Sequence, residues 1–157
     1  QEFERLRDAS DAYLAATGAR PRVFLVNLGP VAVHTARATF AKNFFEAGGI
    51  EAVTSDLGST TGFDDPADAV RDALAVGAHL VCICSSDAVY AERAVDVAGA
   101  LSAAGLSPVY LAGNPGDRRD AEVAAGVDTF IHVGVDVLDV LRHAHDSIGT
   151  PTGTVIR

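Results

Sequence analysis

The sequence predicts an α/β protein built on a five-stranded parallel sheet with helices on both faces. Two observations carry that expectation. Short apolar runs rich in β-branched and aromatic residues recur at 22–27 (RVFLVN), 50–54 (IEAVT), 79–84 (HLVCIC), 107–112 (SPVYLA) and 129–133 (TFIHV), as strands buried on both faces do. Between them lie helical segments long enough to be crossovers, which are right-handed and cover the sheet. A flavodoxin-like strand order, 2-1-3-4-5, in a three-layer sandwich is the expectation.

Each element has a local reason. EFERLRDASDAYLAATG (2–18) sets Phe3, Leu6, Ser10, Tyr13 and Leu14 near one stripe, so residues 1–18 read as a docking or linker helix that ARPR (19–22) breaks. After the first strand, LGPVAVHTAR (28–37) places His34 ahead of the helical TFAKNFFEAGG (39–49). Asp65 caps the next helix with Pro66 at its first position, Val70, Ala73 and Leu74 form its expected buried stripe, and Gly77 ends it. Residues 90–104 repeat the pattern with Ala94, Val97, Ala98 and Leu101 before Gly105, and a shorter helix runs over 118–125 before Gly126. Asp136 caps the last, whose inner face is Val137, Val140, Leu141, Ala144 and Ile148, closed by Gly149. The domain is expected over 19–149, with TPTGTVIR (150–157) as an extended or disordered tail.

Composition narrows the partners. The formal net charge is −9, and the twelve cations, Lys42 being the one lysine, are scattered, which argues against a phosphate backbone or an anionic membrane. No apolar run approaches the ~20 residues of a membrane span, and no basic-then-apolar leader is present, so a soluble, cytoplasmic protein is expected. Beginning at Gln1 rather than methionine, the sequence reads as an excerpt of a longer chain. Cys82 and Cys84, two apart on one strand face, read as small buried hydrophobes rather than a redox or zinc pair.

Ligands on such sheets bind beyond the carboxyl ends of the strands, near the switch between the first and third, so 28–33, 55–64, 85–89, 112–117 and 133–135 are the loops that matter. A phosphoacceptor receiver would need acids after the first strand and a lysine after the fifth; Asn27, Leu28 and Gly29 supply no acid and Lys42 is elsewhere. A flavin-phosphate cradle would need Ser/Thr donors where LGPVAV stands, and no G-x-G-x-x-G is present. GSTTG (58–62) reads as a loop, with phosphate contact as the alternative. HAH (143–145) cannot hold one ion, because helix positions two apart diverge by about 200°, and its histidines are expected to be solvated. His132, inside a predicted strand, and His79, opening one, read as core or sheet-end residues. SSD (85–87) reads as a helix cap rather than a nucleophile.

RPRVFLVNLGPVAVHTARATFAKNFFEAGGIEA, VCICSSDAVYAERA and VYLAGNPG, taken together, resemble the C-terminal domain of the small (β) subunit of bacterial methylmalonyl-CoA mutase over roughly residues 19–149. The resemblance implies a flavodoxin-like, cobalamin-binding-type fold and the adenosylcobalamin-dependent interconversion of methylmalonyl-CoA and succinyl-CoA. Cobalamin-binding relatives carry D-x-H-x-x-G after the first strand, S-x-L after the third and G-G after the fourth. In that motif the histidine ligates cobalt, the aspartate backs it, and the glycine lets the corrin tail approach. Here AVHTAR (32–37) sets His34 on the histidine, Ala32 on the aspartate and Arg37 on the glycine. Asp87 takes the leucine position, and AGN (112–114) keeps Gly113 alone of the paired glycines.

The expected function is therefore a degenerate cobalamin-type domain in a non-catalytic small subunit. It supports heterodimer assembly with a large subunit that holds adenosylcobalamin, binding no cofactor itself, and His34 sits early in a helix close to solvent or a subunit contact. A second reading is a working corrinoid domain with His34 as cobalt ligand and Ser85, Ser86 and Gly113 along the tail. A third is an unrelated nucleotide- or anion-binding module using GSTTG and helix N-termini.

Overall fold

The protein is described by a computed structural model over residues 2–54 and 62–149. In order, it comprises α1 (Glu2–Thr17), β1 (Arg22–Asn27), α2 (Val31–Glu46), β2 (Glu51–Val53), α3 (Pro66–Val76), β3 (Leu80–Cys84), α4 (Asp87–Ala103), β4 (Val109–Ala112), a 3₁₀ turn (Gly116–Arg118), α5 (Arg119–Ala125), β5 (Thr129–Ile131) and α6 (Val137–Ser147). The strands form one all-parallel sheet of order β2-β1-β3-β4-β5, the flavodoxin-like order that the alternation predicts. No helix among the described residues is long and apolar enough to cross a membrane.

Strand periodicity splits the core in two. Phe24, Val26, Val81, Ile83, Val109, Leu111 and Phe130 face α3, α4 and α5. Their alternates Val23, Leu25, Cys82, Cys84, Tyr110, Ala112 and Ile131 face α2 and α6. Both cysteines are buried thiols in that second layer, and burial pushes the Cys82 thiol well above its ordinary pKa.

The caps fall where local chemistry puts them. Asp65 accepts from Ala67 N–H at 2.9 Å, Ser86 from Val89 N–H at 3.2 Å and Asp136 from Asp139 N–H at 3.1 Å. Helix α1 packs against α6 and the Gly49 turn ahead of β2, burying Leu6, Ala9 and Ser10. It is fastened by Arg142–Glu2 at 3.0 Å and by His79, whose Nε2–H donates to the Tyr13 hydroxyl at 2.8 Å while Nδ1 accepts from Arg22 N–H at 3.3 Å.

Four expectations are corrected. Leu74 is 55% exposed, because α3 turns Ala69 and Ala73 to the sheet and the small side chains let the helix approach closely. His145 is not solvated: it is fully buried and Nε2–H donates to the Gly48 carbonyl at 2.7 Å, while its neighbour His143 stays outside beside Asp139. Helix α2 begins at Val31, eight residues before the clear apolar periodicity at Thr39, since Pro30 sets an extended N-cap from which the chain turns directly into the helix. His132 lies just past β5 rather than inside it, with Nδ1 donating to the Val133 carbonyl at 2.9 Å.

Candidate functional site

The carboxyl edge of the sheet is where strand order reverses between β1 and β3, and the side chains gathered there come from four segments. The loop after β1 is stitched down first. Gly29 adopts φ +77°, a left-handed conformation that glycine takes without strain, and its carbonyl accepts from Gly62 N–H at 2.7 Å. Phe63 N–H donates to the Asn27 carbonyl at 2.7 Å, and a Cβ at Gly62 would collide with the backbone carbonyl oxygens of Asn27 and Gly29. The chain around residues 62–63 therefore lies directly across the end of β1.

His34 is inside this arrangement, not at its rim. It is 7% exposed, so of the two settings expected for it, close to solvent or at a subunit contact, the first is corrected. Its Nδ1 is 3.0 Å from the Gly29 carbonyl, and because a carbonyl only accepts, Nδ1 carries the proton. The carbonyl thus orients the ring as an aspartate at position 32 would, so the loss of that acid is not what sets His34 apart.

Arg37, one turn on, decides the shape of the edge. Its Nη1 donates to the Ala112 carbonyl at 2.8 Å and the Ser85 carbonyl at 3.3 Å, and Nη2 donates to Asp87 Oδ1 at 3.2 Å. The guanidinium carbon stands 5.6 Å from the centroid of Tyr90, and Arg118 lies over the same ring at 5.5 Å. Burial on its own would lower the Arg37 pKa, but Tyr90 and Asp87 outweigh it and raise it, so the charge is permanent. Gly113, at φ +150°, passes so close that a Cβ there would collide with Arg37 Nη1.

Tyr90 is the hub beneath the guanidinium. Its hydroxyl accepts from Ser85 N–H at 2.8 Å and donates to the Ala112 carbonyl at 2.7 Å, with the Ile83 carbonyl at 3.2 Å. Burial, reinforced by the neighbouring Cys84, drives the phenol pKa far above its ordinary value and keeps it a donor. Arg118 extends the network from Asp87, 3.8 Å away, to the buried Glu122 at 2.8 Å.

The four sequence candidates have separate duties. Ser85 Oγ donates to the Leu28 carbonyl at 2.8 Å, joining the β1 and β3 ends, and Ser86 caps α4. Gly113 makes room for Arg37, and His34 holds the Gly29 turn. Ser85 and Gly113 meet at Arg37; His34 and Ser86 are engaged elsewhere. Sequence reading missed Tyr90 and Arg118 as members of the edge. The available signal was an aromatic in the first turn of an otherwise Ala/Val helix. GSTTG falls outside the described residues except for Gly62.

A cavity of about 390 Å³ opens beside the guanidinium, lined by Arg37, Phe40, Gly113, Asn114, Ile131 and His132 among others. Val133, 88% exposed, stands at its mouth. The geometry can hold a flat cation between carbonyls and an aromatic face, and the chain's own arginine does so.

No protein-family profile matches the chain. Among curated proteins it is 45% identical over 149 residues to a methylmalonyl-CoA mutase small subunit of Streptomyces virginiae, covering 95% of this chain and 22% of that protein. It is 44% identical over 150 residues to a probable methylmalonyl-CoA mutase small subunit of Mycobacterium tuberculosis (strain ATCC 25618 / H37Rv), covering 94% and 23%. It is 33% identical over 149 residues to the small subunit of Propionibacterium freudenreichii subsp. shermanii, covering 94% and 22%. The chain thus spans between a fifth and a quarter of the length of these relatives. In fold it is similar to a signal receiver domain of a modulated diguanylate cyclase from Desulfovibrio desulfuricans G20. That match has a TM-score of 0.51 at 16% identity and covers 80% of this chain and 90% of the other; it speaks to architecture alone.

Proposed function

The chain is homologous to the C-terminal domain of methylmalonyl-CoA mutase small subunits, and on that premise we propose that it is a cobalamin-type domain that has lost its ligand and serves assembly. Its partner would be a large subunit that carries adenosylcobalamin and performs the isomerisation of methylmalonyl-CoA to succinyl-CoA. The small subunit would supply packing and no reacting group.

One observation supports this most strongly: the residues at the motif positions do not fit a corrin tail. The position where the motif has glycine carries Arg37, whose guanidinium takes the Ser85 and Ala112 carbonyls and pairs with Asp87 at the leucine position. A corrin tail that took up this position would have to expel a permanent charge from its acceptors, a cost of several kcal/mol in order of magnitude. Arg37 and Asp87, at two of the motif positions, pair with each other, as expected of a site given over to packing.

The second reading, a working corrinoid domain, draws on the Gly29 carbonyl behind His34 Nδ1, which leaves Nε2 as the ligating nitrogen. Titrating hydroxocobalamin into the chain and following the visible spectrum separates the two. No saturable change is expected; a saturable shift abolished by His34→Ala would reverse the assignment. Affinity purification of the full small subunit is expected to bring the large subunit with it. Failure to form that complex would remove the assembly role and leave the anion-module reading.

A further inference from the structure

Parallel α/β sheets of this order present a ligand cleft beyond the carboxyl ends of the strands, at the switch point. In this chain the ends of β3 and β4 form a receptor with defined chemistry. It has two strand-end carbonyls, Ser85 and Ala112, an aromatic face, Tyr90, and one carboxylate, Asp87, which together contact a single planar cation. Its second wall is Gly113, where any side chain would strike the cation. The cation belongs to α2, which places it there from 48 and 75 residues away in sequence.

We propose that this cleft is a guanidinium-binding site occupied by its own tethered ligand, Arg37, so that emptying it creates a site for free monosubstituted guanidinium compounds. The inference deepens the reading above, because a site closed by its own ligand is one reason the domain would not take a corrinoid. Selectivity for guanidinium over ammonium follows from the fork. One nitrogen, Nη1, serves both carbonyls while a second, Nη2, reaches the carboxylate with the guanidinium carbon over the ring, and a point charge on a flexible stem has no second nitrogen for the carboxylate. The adjoining cavity of about 390 Å³ gives a free ligand a route to the cleft.

Chemical rescue in the 157-residue chain tests this. Arg37→Ala is expected to lower the thermal midpoint by about 5 °C, since charge-assisted bonds to partly buried acceptors are lost. N-ethylguanidinium at about 10–20 mM, the range where an untethered ligand replaces a tethered one, is expected to restore part of that fall in Arg37→Ala and to leave the parent chain unchanged. Ethylammonium and urea at equal concentration are expected to restore nothing. Arg37→Lys, which keeps charge and stem, is expected to fold with an intermediate midpoint, and it carries the test if the alanine variant does not fold. The proposal is overturned if Arg37→Ala matches the parent, if ethylammonium rescues as well as ethylguanidinium, or if Arg37→Lys is as stable as arginine. Hydroxocobalamin added to the parent chain keeps the two readings apart. Saturable binding there sinks the structural assignment, whereas absent rescue with no corrinoid binding sinks this inference alone.

Discussion

The cleft at the carboxyl ends of β3 and β4 is closed by Arg37, Arg118, Asp87 and the Tyr90 phenol, whereas at the amino ends of the strands two imidazoles, His79 and His145, make the fastening bonds. Guanidinium and phenol keep their protonation state across the physiological range. Both imidazoles are held neutral: burial lowers the pKa of His79, helped by Arg22, and burial lowers that of His145 against the opposing pull of the Gly48 carbonyl. The Arg37–Tyr90 cleft thus keeps its bonding as pH changes, whereas the bonds of His79 and His145 depend on it. The contrast teaches that filling a cleft with arginine removes that cleft from proton control, while docking a helix through neutral histidine retains it.

Tyr90→Phe should disturb this contrast most. It strands the Ser85 N–H and takes one donor from the Ala112 carbonyl, and the expected loss is about 2–3 kcal/mol. Urea unfolding at pH 5.5 and 7.5 should give the same loss at both values. A loss confined to the lower pH would mean that the carboxyl edge also titrates.

The amino end should respond to acid. Each imidazole pKa is lowered in the folded chain, so the unfolded chain takes up protons first. The contribution is complete above the unfolded value of about 6.5 and is lost as pH falls through the lowered folded values. Thermal midpoints measured from pH 7.5 down to 5 should therefore decline below about 6.5. His145→Gln keeps a donor for the Gly48 carbonyl without a titrating proton and should flatten that decline. An unchanged slope in the variant would remove His145 from the account. Asp87→Asn should matter least, since the carboxylate is largely exposed and such pairs contribute only about 0.2–1 kcal/mol. A double-mutant cycle with Arg37→Met, which removes the charge and keeps a stem, measures it, and a coupling well above that range would make Asp87 a principal wall of the cleft.

Local chemistry made most of the fold legible. Asp65, Ser86 and Asp136 cap helices because their side chains reach an N–H two or three residues on, a bond decided within one turn. Alternation along VFLV and LVCIC likewise assigns each side chain to one of two faces. The misjudged residues are those whose surroundings come from far along the chain. Leu74 and Ala73 are neighbours on α3, and only the position of the sheet and α4 decides which is covered. His143 and His145 share one helix and one motif, yet Gly48, 97 residues from His145, buries only the second. For the candidate site, the motif alignment marked Arg37 and Asp87 as departures, but not that they meet.

By itself the sequence determined the strand and helix inventory and the parallel alternation, because these depend on periodicity and caps along short stretches. It also determined the similarity to the small subunits, which is residue identity along 149 residues. Tertiary structure alone decided what occupies the carboxyl edge at β3 and β4. The acceptors that receive Arg37 lie on β4 and just past β3, and no local pattern brings a side chain of α2 to them. A guanidinium with unused donors finds carbonyls freed where strands end, and that meeting exists only once the sheet has formed.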